Sequence, residues 1–444
     1  MWGGVRYRVA VRLQASRVAE VTGGALHGHD VEIDGVSVDS RTTAPGNLFV
    51  ALRAERDGHD FTADALDAGA AALLVDRPVD APSAVVVPDT NAALLALGTH
   101  ARSRLGDRVV GITGSVGKTS TKDLVAGVLA RSHPTWASAR SYNNEIGVPL
   151  TLLGAPDGTV STVVEMGMRG FGHIDALCAV ARPTMGVVTS VAMVHTELVG
   201  DLDGVARAKR ELVEALPASG HAVLNAADAR VAAMAAHTDA RVVWFGQDGH
   251  VSAERVELDE DLRPHFHLVS DWGSVDVSVA ARGIHQVSNA LAAAAVGLVW
   301  DVPLEAVAEG LATAALSPWR MELTRTPAGA VVINDAYNAG PTSMEAALRS
   351  LAALPAHRHV AVLGHMAELG PDGPAEHRRI GEVATALGIR VVAVAEPAYG
   401  VGDLVADADA AIAALSPLAD GDAVLVKASR AAGLEVVAEA LADR

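Results

Sequence analysis

With 444 residues, half of them apolar but only 3% aromatic, the chain has enough hydrophobic side chain for about three ordinary domains, filled by Ala, Val and Leu. A formal charge of −18 sets it against nucleic acid and anionic membrane surfaces, so any anionic ligand must meet a local cationic pocket. The single cysteine, Cys178, excludes an intramolecular disulfide and argues against a thiolate-built zinc site, which fits the cytoplasm.

Residues 1–20 interleave four arginines with short apolar pieces and lack the continuous apolar core of a signal peptide. Elsewhere the longest apolar stretches, such as 290–300, fall short of the ~20 residues that span a bilayer. The expectation is a protein with no membrane partner and no nucleic acid partner.

Residues 1–105 read as a small α/β unit without a Gly-rich loop. Val31, Ile33, Val36 and Val38 suggest short strands, followed by Asp39-Ser40-Arg41, a turn at Pro45-Gly46 and a strand through Leu48-Phe49-Val50. At the strand end, Ser40 and Arg41 either hold a phosphate or sugar hydroxyl or form a solvated turn. Asp57-Gly58-His59-Asp60-Phe61 poses the same choice.

Across residues 106–316 strands and helices alternate, as in a mostly parallel sheet covered on both faces. The apolar run Val109-Val110-Gly111-Ile112 leads into Gly114, Ser115, Val116 and Gly117, after which Lys118, Thr119 and Ser120 open a helical pattern through Leu124, Val125, Val128 and Leu129. That order suits phosphate: loop amides and a helix N-terminus face a polyanion, a lysine reaches its terminal groups, and a hydroxyl is left for Mg²⁺. The full G-x-x-x-x-G-K-[ST] pattern would have Gly where Ile112 stands, so the match is to its second half.

Further strands are predicted at 162–165, 185–191, 222–224 and 242–245, and ligands gather at the carboxyl ends of such strands. Glu165 and His195 each follow a strand, which would let them face the crevice of Lys118 as Mg²⁺ ligands or leave them as a surface acid and a loop histidine. Over 203–216 the apolar stripe Val205, Leu212, Leu216 takes in Lys209. A lysine there either snorkels to water or is held in the nucleotide cleft, open to chemical modification. Residues 251–282 alternate charged and apolar positions as an antiparallel meander bordering the central unit. Asn289 lies near the start of the Ala-rich helix that follows, where an amide could read an adenine edge.

Ser317-Pro318 interrupts the pattern, and residues 317–444 resume with strands at 331–333, 360–363, 391–394 and 424–426. This unit is Rossmann-like but lacks G-x-G-x-x-G, so a nicotinamide cofactor is not expected. Its first strand leads instead into Asp335-Ala336-Tyr337-Asn338-Ala339-Gly340-Pro341, which offers a carboxylate and an amide to a ligand between domains.

Taken together, residues 114–120, Asn143-Asn144-Glu145-Ile146-Gly147-Val148-Pro149, Glu165-Met166-Gly167, Ala208-Lys209, His285-Gln286-x-x-Asn289 and Asp335-x-Tyr337-Asn338-Ala339-Gly340-Pro341 resemble the Mur ligase family. The resemblance extends to Asp39-Ser40-Arg41 and Asp57-Gly58-His59-Asp60-Phe61 at the front and to Leu363-Gly364-x-Met366-x-Glu368-Leu369-Gly370 and Lys427-x-Ser429-Arg430 at the back. It implies three domains: a UDP-substrate domain, a central ATPase domain and a C-terminal Rossmann-like domain.

Within the family, the pattern is nearest the branch that adds D-alanyl-D-alanine to UDP-N-acetylmuramoyl tripeptide through an acyl phosphate. The Asp-Asn-Pro-Arg motif of the diaminopimelate-adding branch is missing. The resemblance assigns Lys118 and the loop amides to ATP, and Thr119, Glu165, His195 and a carbamylated Lys209 to two Mg²⁺ ions. Asn289, Arg320, Asp335 and Asn338 complete the nucleotide site, with Ser40, Arg41, Asn143 and Asn144 on the substrate side. A monomer is expected. Gln286, Gly340, His365 and Ala428 depart from the family pattern, which motivates a competing reading as a non-catalytic nucleotide-binding homologue; a related ligase acting on folate or another muramoyl intermediate is a further alternative.

Overall fold

The computed structural model describes residues 12–139, 141–192, 199–415 and 417–442. His195 therefore lies outside the described residues.

Four sheets organise the described residues. Near the front, Arg12–Gln14 pairs antiparallel with Glu32–Asp34, and a five-stranded sheet runs in the order Ala25–Gly28, Ser83–Val86, Ala72–Val75, Leu48–Val50, Val36–Ser37. The predicted strand region 31–38 thus splits between two sheets.

The central sheet has nine strands. From one edge they are Thr135–Ala137, Ser161–Glu165, Arg108–Thr113, Met185–Val188, His221–Asn225, Arg241–Phe245, Val251–Leu258, Pro264–Ser270 and Gly273–Ser278. The first seven are parallel neighbours and the last two close an antiparallel meander. That meander does more than border the central unit, because Val251 pairs with Phe245 and continues the same sheet.

β-branched residues dominate the middle strands because both faces are covered. Val109, Val110, Ile112, Val163, Val164, Val187 and Val188 are fully buried. On one face the helix Lys118–Leu129 packs Leu124, Val125 and Val128 against Ala290, Ala293, Ala294 and Val296 of the helix Gln286–Val299. With almost no aromatic side chains to separate them, these alanine-lined helices can approach closely.

The strand expected over 185–191 ends at Val188, because Thr189 and Ser190 turn away to hold the phosphate loop. Thr189 Oγ1 donates to Val116 O at 2.6 Å, and Ser190 O accepts from Ser115 N at 2.9 Å. The helix expected over 203–216 runs Leu202–Glu214, started by Asp201, whose carboxylate accepts from Gly204 N at 2.8 Å.

The third unit is a six-stranded sheet in the order Glu322–Arg325, Val331–Asn334, Asp422–Lys427, Arg358–Leu363, Arg390–Val394, Asp403–Val405, parallel except for its first strand. Helices Pro341–Ala353 and Gly373–Ala386 feed one core of this unit, and Ala408–Leu415 and Glu435–Ala442 the other. No described helix is long and apolar enough to cross a membrane.

Candidate active site

The strand Arg108–Thr113 ends inside the sheet, so the chain must turn sharply before the helix Lys118–Leu129 begins. Two glycines make that turn. Gly114 has φ 150°, and a Cβ there would fall 1.8 Å from Thr189 Oγ1; Gly117 has φ 87°, and a Cβ there would fall 2.4 Å from Asn289 Oδ1. The resulting loop is further pinned by Ala192 N donating to Ser115 Oγ at 2.8 Å and by Val116 N donating to Ser190 Oγ at 3.3 Å. Lys118 folds back over it and donates from Nζ to Gly114 O at 2.8 Å, where a phosphate oxygen could replace the carbonyl. Desolvation holds its pKa below the usual lysine value, opposed by Glu165 and reinforced by Arg320.

Around the loop lies a cavity of ≈ 850 Å³, lined from all three parts of the chain. Leu95 comes from the first, Lys118, Thr119, Glu165 and Asn289 from the second, and Arg320, Asp335, Tyr337, Asn338 and Lys427 from the third. That size suits a nucleotide and part of a second substrate.

At its floor Glu165 is 1% exposed. Oε2 accepts from Thr119 Oγ1 at 2.9 Å and Oε1 from Asn143 Nδ2 at 2.8 Å. Arg320 Nη2 donates to Thr119 Oγ1 at 3.1 Å, and its guanidinium lies 4.2 Å from the centre of the Tyr337 ring. Asp335 and Lys427 form a buried pair at 2.6 Å, and Lys427 Nζ also donates to Asn338 O at 2.9 Å. Desolvation lowers the pKa of Lys427, with Asp335 opposing.

Lys209 is 2% exposed, between the fully buried Val205 and Leu212. Snorkelling is thus overturned, since the ammonium does not reach water. No described residue bonds or ion-pairs with it, and desolvation together with the nearby Lys118 charge drives its pKa well below the ordinary value. At neutral pH such a group is pushed toward the free amine.

Other expected residues have different surroundings. Asn289 Oδ1 accepts from Thr121 Oγ1 at 3.1 Å and its Nδ2 donates to Gln286 Oε1 at 2.8 Å, so its amide braces the phosphate loop. Asn144 caps the helix Gly147–Leu153 through Oδ1, which accepts from Gly147 N at 2.8 Å. Ser40 and Arg41 are outside the cavity lining, and Arg41 is exposed and forked onto Asp39 at 2.6 Å. In the 57–61 loop, His59 is buried, with Nδ1 2.6 Å from Asp57 Oδ1 and Nε2 accepting from Asp76 N at 3.1 Å, so this loop ties strands together.

Ser141, Thr189, Ser190 and Asn225, none of them a candidate from the sequence, also line the cavity, as does Ser429 of the Lys427-x-Ser429-Arg430 run. The available signal was position, because Thr189, Asn225 and Ser429 sit at or just past the carboxyl ends of strands. His365, His377 and Glu396 bring metal-capable atoms within 4.8 Å of one another. However, His377 is spent on the backbone, accepting from Met366 N at 2.9 Å and donating to Gly373 O at 2.7 Å.

Comparison with known proteins decides the lineage. Residues 112–297 match the Mur ligase middle domain, 319–430 the Mur ligase glutamate ligase domain, and 32–99 the Mur ligase family catalytic domain. The chain belongs to the Mur ligase family. It is 43% identical to the UDP-N-acetylmuramoyl-tripeptide--D-alanyl-D-alanine ligase of Mycobacterium bovis, covering 97% of this chain and 98% of the relative. Among solved Mur ligases, the MurF of Acinetobacter baumannii superposes with a TM-score of 0.88 at 29% identity, covering 98% of this chain and 100% of that one. The MurF ligase of Thermotoga maritima, solved in complex with ADP, gives 0.80 at 26% identity, covering 92% and 96%.

Proposed function

We propose that this Mur ligase is an ATP-dependent, ADP-forming peptide ligase of peptidoglycan precursor synthesis, joining D-alanyl-D-alanine to UDP-N-acetylmuramoyl tripeptide. Full-length likeness to ligases of that name supports the substrates. One observation carries the chemistry: the phosphate loop, a buried carboxylate and cationic side chains from two parts of the chain meet in one cavity. Residues 1–105, 106–316 and 317–444 serve as the UDP-substrate, ATP and closing units in this reading, and the setting is cytoplasmic.

The tripeptide's terminal carboxylate attacks the γ-phosphorus of ATP, the bond to the β-phosphate oxygen breaks, and ADP leaves an acyl phosphate. The dipeptide amine then attacks the carbonyl carbon, and collapse of the tetrahedral adduct expels phosphate and leaves the amide, the amine proton passing to solvent. Lys118, the amides of Gly114, Ser115, Val116 and Gly117, and the N-terminal turn with Thr119 and Ser120 bind the β- and γ-phosphates. Arg320 adds a second cation across the cavity, with Asp335 and Asn338 presented from the same side. Asn143 fixes the Glu165 carboxylate, with Asn144 ordering the turn beside it. Ser40 and Arg41, outside the cavity lining, are assigned to the uridine diphosphate end by family likeness.

Thr119 and Glu165 supply oxygen donors of the kind Mg²⁺ prefers, with His195 assigned to a second ion by family likeness. Mg²⁺ bound there offsets the charge spread over the transferred phosphoryl group. Desolvation favours the neutral amine of Lys209, the form that adds to carbon dioxide with an N–C bond formed and a proton lost to give a carbamate. That product converts a base with no partner among the described residues into an oxygen ligand. The deciding assay is phosphate release with both substrates present and with each omitted. Release requiring both is expected, and turnover with either one missing refutes the proposal.

A further inference from the structure

Two consecutive residues of the helix Lys118–Leu129 carry buried charges, Lys122 at 2% and Asp123 at 7% exposure, one turn after the phosphate-loop lysine. They form an ion pair at 2.9 Å. Burying such a pair gains little stability over apolar side chains, so its use lies in direction. Asp123 Oδ2 accepts from Ser317 N at 2.7 Å and Oδ1 from Ser317 Oγ at 3.1 Å, fixing the backbone of the segment that leads into the third sheet. Lys122 Nζ donates to Ser138 O at 2.8 Å, and Ser138 Oγ accepts from Glu165 N at 3.1 Å. A continuous polar path thus runs from the connecting segment to the backbone of Glu165, whose carboxylate lines the cavity.

Only two residues separate Ser317 from Arg320, and the segment around them has little freedom. Pro318 fixes its own φ, while Trp319 and Met321 hold left-handed backbone at φ 59° and 53°. Met321 N donates to Asp335 Oδ1 at 3.2 Å, so the segment is clamped by one aspartate on each unit. Between the clamps, Arg320 reaches Thr119, and its Nε is buried without a partner among the described residues, leaving a donor for a ligand.

We infer that Asp123 is a positioning residue, anchoring the Ser317–Arg320 segment so that the guanidinium meets the Thr119–Glu165 end of the cavity. This rests on the ligase reading for its kinetic consequence but not for its geometry. The main test is a double-mutant cycle on the full chain with Asp123→Asn and Arg320→Ala. Asp123→Asn should lower kcat by about tenfold or more with little change in tripeptide KM, and should cost almost nothing further in the Arg320→Ala background. An equal loss in both backgrounds, or no loss in the first, overturns the inference. If Asp123→Asn melts below assay temperature, Ser317→Ala takes its place in the same cycle with the same criteria, and Ser317→Thr should restore kcat.

A second arm needs no turnover. Spin labels at Glu254→Cys and Leu404→Cys, both exposed, report the distance between the second and third units, and Cys178 is buried with its thiol pushed up to about 12. The distance distribution should broaden in Asp123→Asn, and an unchanged width overturns the anchor. A wild-type chain that turns over nothing while the variant broadens would sink the ligase reading and leave the anchor standing.

Discussion

Replacing Lys209 by methionine should make the protein more stable and inactive at once. The methionine side chain nearly matches the lysine stem in length and fills the same space between Val205 and Leu212, while removing a buried nitrogen that has no partner among the described residues. Burying that polar nitrogen costs about 1–3 kcal/mol, so in metal-free, carbon-dioxide-depleted buffer the variant should gain that much. For a unit the size of the central sheet and its helices this is a rise in melting temperature of a few degrees.

The pH dependence has a definite sign. A lysine whose folded pKa is lowered leaves the unfolded chain binding the extra proton below the ordinary value of 10.5, so wild-type stability rises as pH climbs toward that value. Lys209→Met should flatten this slope. Phosphate release should meanwhile fall to background, and added bicarbonate should not restore it. Calorimetry from pH 6 to about 10 beside the two-substrate assay checks both halves. A variant that melts at or below wild type and still turns over would show that Lys209 only packs, and the carbamate assignment would fall with it.

Gly117→Ala should cut ATP affinity at least about tenfold and destabilise by about 1–3 kcal/mol, because φ 87° and a 2.4 Å clash with Asn289 both oppose a Cβ; unchanged nucleotide titration calorimetry would contradict this. Glu165→Gln should lower kcat by about a hundredfold while the fold persists, since the amide can still accept from Thr119 but loses the charge offered to Mg²⁺; a metal titration of turnover reads the loss. Burial pushes His285 down to about 4, so between pH 6.5 and 4 the unfolded chain takes up a proton that the folded chain refuses. Stability should fall over that window by at most about 3 kcal/mol, and His285→Gln should remove this part of the acid limb in thermal melts. Lys427→Met should cost about 3–5 kcal/mol by leaving Asp335 buried and unpaired, checked by urea unfolding.

Local patterns were the most legible part of the fold. The strand, glycine turn and helix of residues 109–129 are contiguous, so hydrophobic period and turn chemistry locate them without tertiary information. Lys209 could be placed on an apolar stripe for the same reason, but whether its nitrogen reached water depended on what covers the helix. Asn289 illustrates the opposite limit. Its amide is spent on Thr121 and Gln286, a choice fixed by side chains 168 and three residues away. The polar meander was readable as strands, yet only the pairing of Val251 with Phe245 made it part of the central sheet.

From the sequence alone came the alternation of strands and helices, the phosphate loop and the inward lysine, all of which rest on periods and spacings within a dozen or so residues. The tertiary structure decided which distant groups share a cavity. Arg320 meets Thr119 across 201 positions of chain, and Lys427 meets Asp335 across 92. Such pairings leave little local trace because sheet order, not sequence distance, brings strand ends together, and a buried charge finds its partner only once water has been excluded.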